Sequence, residues 1–84
     1  MLPRIIFSRH AIYQIKERGI DETEIFLAIT RPDKVIHCPE GRFRAIKKVK
    51  RNNKAFLLVV VYKPINSSAK IITAFLTSKV KKYL

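Results

Sequence analysis

One cysteine, two glycines and no tryptophan are what this 84-residue chain has least of, and each scarcity excludes something. The lone thiol, Cys38, cannot form an internal disulfide and fits a reducing compartment, so a cytoplasmic location is expected. With only Gly19 and Gly41, no Gly-rich loop exists to cradle phosphates, which disfavours nucleotide-cofactor enzymes; no cofactor is expected. His10, His37 and Cys38 are the soft ligands present, without C-x-x-C or H-x-x-x-H spacing, so no metal site is expected. No apolar run approaches the roughly 20 residues that span a bilayer. The longest, Ala55 to Tyr62, is strand-sized. Met1-Leu2-Pro3-Arg4 leads into a short apolar triplet rather than a signal-peptide core. The basic half of the chain has no long amphipathic helix to lay on a membrane surface, and no membrane partner is expected.

A further absence is more telling. From Arg42 to Leu84 there are twelve basic side chains and no acidic one, whereas residues 1–41 hold six of each sign. The whole excess of +12 therefore belongs to the second half. Such a field repels itself unless a polyanion or an acidic protein screens it. It is the electrostatic footprint of nucleic-acid binding, where each neutralised phosphate releases condensed counterions.

Hydrophobic residues make up 48% of the chain, an ordinary share for a globular protein, and the length allows one domain, 1–84. Ser8 can cap a helix running to about Arg18, with Gly19 as its stop and Ala11, Ile12 and Ile15 as its apolar stripe. Asp21 with Glu24 three residues on is a capping-box pattern opening a second helix that ends before Pro32. Strands follow: Val35 to His37, Phe43 to Lys50, Phe56 to Tyr62 and Ile71 to Thr77. Asn52-Asn53 forms a tight hairpin turn and Pro64 to Ala69 a polar loop. Lys79 to Leu84 is a terminal helical turn or a tail. The expected fold is α+β, two N-terminal helices packed on one face of a four-stranded antiparallel sheet.

His10-Ala11, five residues, then Glu17-Arg18-Gly19-Ile20 form a string that resembles a group of small prokaryotic domains of unknown function marked by an "HA…RGI" helix. Pro32-Asp33 and the closing Ile71-Ile72-Thr73 agree, so the likeness runs from Ile6 to about Thr77. The resemblance implies a fold akin to the RelE/ParE and BrnT-like toxins, placed with barnase-, colicin- and EndoU-type RNases. It also implies RNA cleavage without metal and neutralisation by an acidic antitoxin, by analogy at fold level. His10, Arg18 and Thr73 are the positions that the match singles out.

Metal-free RNA cleavage needs a base for the 2′-hydroxyl, an acid for the leaving 5′-oxygen and cations for the pentacovalent phosphate. His10 suits the base, since histidine titrates near neutrality and the first turn of a helix disfavours the imidazolium. As a surface group it needs no such role. Arg18 can clamp phosphate or satisfy the last carbonyls of its helix. Arg42, Arg44 and Lys48 share a strand face with Ile46 by alternation and form a phosphate track, which Lys63 and the Thr73, Thr77 and Ser78 hydroxyls can approach. Edge-strand lysines also serve merely to prevent aggregation. Tyr62 and Tyr83 offer stacking surfaces or sit at a core rim.

The sequence thus leads to a metal-independent endoribonuclease toxin with RNA as substrate, an acidic antitoxin as partner and the ribosome as a further one. The alternatives are a non-catalytic RNA- or DNA-binding domain and a basic protein that docks an acidic partner.

Overall fold

Ser8 stands in extended backbone and its hydroxyl accepts the Ala11 amide at 3.0 Å, so helix α1, Arg9–Glu17, starts where a cap is available. Gly19, at φ +65°, takes the left-handed conformation that ends it. Helix α2, Glu22–Thr30, opens on the full capping box: Asp21 accepts from Thr23 while Glu24 accepts the Asp21 amide at 3.1 Å. Residues 4–84 are described by this computed structural model, and the reading of Met1-Leu2-Pro3 as no signal segment lies outside them.

Among the described residues there are five strands: β1 (Arg4–Phe7), β2 (Lys34–Cys38), β3 (Arg42–Arg51), β4 (Lys54–Ile65) and β5 (Ser68–Thr77). They form one sheet in the order β1-β5-β4-β3-β2. A four-residue helix, α3 (Val80–Tyr83), closes the fold.

The four-stranded antiparallel RelE-like sheet expected from the sequence is therefore corrected. The described residues open on a strand, and β1 pairs parallel with β5 from Arg4↔Ser68 to Phe7↔Ile71, making the sheet five-stranded and mixed. A four-residue strand whose partner lies over sixty residues away carries no local signal, and it read as an apolar lead-in to α1. The loop expected over Pro64 to Ala69 is also shorter. Strand β4 runs through Pro64 and Ile65, and a two-residue turn at Asn66-Ser67, with Asn66 at φ +55°, leads into β5. Pro64 is tolerated because β3 pairs β4 only as far as Tyr62, so no ladder needs its missing N–H on that side. The Asn52-Asn53 turn has positive φ at both residues, as a type I′ hairpin requires.

The core is in two parts. Ala11 and Ile15 of α1 and Ile25 and Ala28 of α2 pack with Leu58, Val60, Ile71 and Ala74 on one face of the sheet, hereafter the helix face. On the far face Ile46, Leu57 and Val59 are fully buried, with Phe75, Val80 and Tyr83 against them, so α3 covers that patch. The near-continuous apolar run of β4 follows from this two-sided burial. Among the described residues no helix is long and apolar enough to cross a membrane.

Candidate nucleic-acid interface

Strand alternation assigns each basic side chain to a face. Ile46 belongs to the far-face core, so Arg42, Arg44, Lys48 and Lys50 of β3 share that side. Tyr62 packs on the helix-face core, so its neighbour Lys63 also looks to the far face, directly opposite Lys70 of β5. The sequence-derived row of Arg42, Arg44, Lys48 and Lys63 is thus brought to one side of the sheet. Its two ends differ. At one end α3, which carries Lys81 and Lys82, packs on the patch beside Lys48. A shallow cavity of about 440 Å³ lies there, with Lys48, Lys50 and Val80 in its lining. At the other end stand Arg42, Arg44, Lys63 and Lys70.

Counter-charges are few. Among the described residues the ion pairs are Arg42–Glu40, at 3.9 Å and exposed, and Arg51–Glu24, at 2.6 Å. The second pair ties β3 to α2, and the Arg51 hydrogen bond holds the Glu24 carboxyl below its ordinary range against the opposing effect of burial. Lys47 is also engaged, its ammonium donating to the Arg31 carbonyl at 3.0 Å. Arg44 is different: its Nε is buried without a hydrogen-bond partner.

The three positions singled out by the helix motif lie elsewhere. Arg18 Nη1 donates to the Ala74 carbonyl at 2.6 Å, and the Thr73 hydroxyl donates to Gln14 Oε1. Both contacts join α1 to β5 beyond Ile71, the last residue that β1 pairs, and beside the register shift at Val61/Tyr62. The motif therefore seals a stretch of strand edge that β1 leaves uncovered. His10 is exposed in the first turn of α1, and α1 packs on the helix face. His10 is thus not brought together with the basic row: the sheet lies between them.

The helix face has its own feature. His37, Phe43 and Tyr62 are register partners across β2, β3 and β4, with His37 edge-on to Phe43 at 4.4 Å and Phe43 stacked on Tyr62 at 5.7 Å. Burial pushes the Tyr62 phenol above its usual pKa, so it stays protonated at neutral pH. Tyr83 lies on the far face against Phe75, a packing role.

Sequence reasoning missed Gln14, the Glu24–Arg51 pair and Lys70. The last was within reach: a two-residue turn at Asn66-Ser67 by itself sets Lys63 opposite Lys70.

Sheet and face together define a class: a small domain with a mixed five-stranded sheet, two helices on one side and a basic surface with few counter-charges on the other. The chain matches the profile of a domain-of-unknown-function family, DUF4258, over residues 7–76, and it belongs to that family. No curated protein and no solved structure matches it.

Proposed function

We propose that this domain binds RNA through the far face of its sheet. The observation that carries the proposal is the gathering of Arg42, Arg44, Lys48, Lys50, Lys63 and Lys70 on one face, with Glu40 the one acid ion-paired to any of them among the described residues. Strand-borne cations at this density track a phosphate backbone. RNA rather than DNA is what the resemblance of the HA…RGI string to small domains of unknown function implies, by the analogy drawn from them to RelE- and BrnT-like toxins.

A second reading is a metal-independent endoribonuclease toxin, held in check by an acidic antitoxin and acting on free RNA or at the ribosome. That resemblance and the exposed imidazole of His10 favour it. Against it stand the engagement of Arg18 and Thr73 in holding α1 to β5 and the separation of His10 from the basic row.

Pure protein incubated with mixed single-stranded RNA in EDTA separates the two, alongside His10→Ala and Arg44→Ala/Lys48→Ala variants. The binding reading expects tight, salt-sensitive association that the strand variants weaken and His10→Ala leaves unchanged. Products with 2′,3′-cyclic phosphate ends that vanish in His10→Ala establish the nuclease and its base instead. Absence of both binding and cleavage rejects direct action on free RNA and leaves ribosome-dependent cleavage and, ahead of it, the acidic-protein partner.

A further inference from the structure

We infer that Arg44, Lys63 and Lys70 form a discrete phosphate subsite at the end of the far face that α3 leaves open. The inference rests on the RNA-binding reading and sharpens it. Two independent observations lead there.

The first is an unfavourable pairing. Lys63 and Lys70 are direct cross-strand partners, and like charges in that position repel. Their neighbours offer no relief: the β3–β4 ladder stops at Phe43↔Tyr62, where the next residue of β3 is another cation, Arg42, and Ile6 pairs with Lys70 from β1. Arg42 has a counter-charge in Glu40, but neither lysine is in an ion pair among the described residues.

The second is the orphaned Arg44 Nε, a buried donor with nothing to donate to. Leaving such a group unmet costs stability, and a buried polar atom in a folded protein ordinarily has a partner. Arg44 stands opposite Val61, two residues from Lys63, so it is the diagonal neighbour of that lysine on the same face. Half-buried Ile36 and Val61 flank it on either side. A tetrahedral oxyanion seated between these cations, met by a turn of the Arg44 side chain that brings Nε out of its buried position, supplies what both observations lack. It accepts from the planar guanidinium and from the ammonium groups, and it separates the two lysine charges. The +12 excess of the chain selects a polyanion's phosphate as the occupant.

The arginine Nε–Hε resonances of the ¹⁵N-labelled full chain provide the test, followed during titration with inorganic phosphate and, separately, with a single-stranded RNA oligonucleotide. Arg44 is expected to move with both. Arg44→Lys, which keeps the charge, and Lys70→Gln are each expected to weaken RNA binding about tenfold, and Lys48→Gln only two- to threefold. Without anion, Lys70→Gln is expected to melt higher than the parent, because it removes the like-charge pair. Added phosphate is expected to raise the melting temperature of the parent and not of the variant. An Arg44 signal unmoved by either titrant overturns the subsite, as do Arg44 and Lys70 variants that bind RNA no worse than Lys48→Gln. Binding of RNA with an unmoved Arg44 signal leaves the RNA reading standing without the subsite. Movement with phosphate but not with RNA does the reverse.

Discussion

At the scale of single residues, two of the three positions that the helix motif singles out, Arg18 and Thr73, make contacts that hold the fold together. Arg18 spends a donor on the Ala74 carbonyl, and Thr73 spends its hydroxyl on Gln14. Arg18→Ala is expected to cost about 1.5–3 kcal/mol, the worth of one charge-assisted hydrogen bond. For a domain of this size that is a fall of roughly 4–8 °C in Tm per kcal/mol, with RNA affinity unchanged, checked by thermal melts beside a binding isotherm. Arg18 serving phosphate would instead show as lost affinity at constant Tm. The Glu24–Arg51 pair predicts an acid dependence. The folded carboxyl titrates below its ordinary 4.5, so its stabilisation is fully present above that value and is lost as pH falls through the folded pKa. Melts between pH 6 and pH 3 are expected to show the parent losing more stability than Glu24→Gln, which gives up the charge in advance. Equal losses would mean that the pair contributes nothing.

Among the elements, the hairpin turns and the strand edges decide most. Asn53 holds φ +64° in the β3–β4 turn, a conformation that a β-branched residue resists. Asn53→Val is expected to cost about 1–2 kcal/mol and Asn53→Gly almost nothing, measured by denaturant midpoint. A reversed order would show that the turn is not type I′. The caps of α1 and α2 and the Asn52-Asn53 turn were legible because each is set by residues within a few positions of one another. Strand β1 was not, since four residues gain their identity only from Ser68 to Ile71 of β5. Helix α3 is too short to hold itself together in isolation and persists by laying Val80 and Tyr83 on Ile46, Leu57 and Val59. Truncation after Ser78 is expected to lower Tm while leaving the Arg44 Nε response to phosphate in place. Loss of that response would tie the phosphate site to α3.

For the whole molecule the governing quantity is charge. A face that neutralises about six phosphates gives a log–log salt slope near −4 on single-stranded RNA, obtainable from affinities between 50 and 200 mM salt. A flat dependence would remove the polyanion as partner. The sequence by itself determined the +12 excess and its confinement to the second half, because charge is a sum over residues and needs no fold. It also determined the helix starts and the Asn52-Asn53 turn, because these are local. Only the tertiary structure decided that His10 and the strand cations occupy opposite sides of the sheet, that Lys63 meets Lys70, and that Arg44 is left with an unmet donor. Alternation states which neighbours along one strand share a face. Which face that is, and what stands across from it, is set by long-range register and packing that no short stretch of sequence contains.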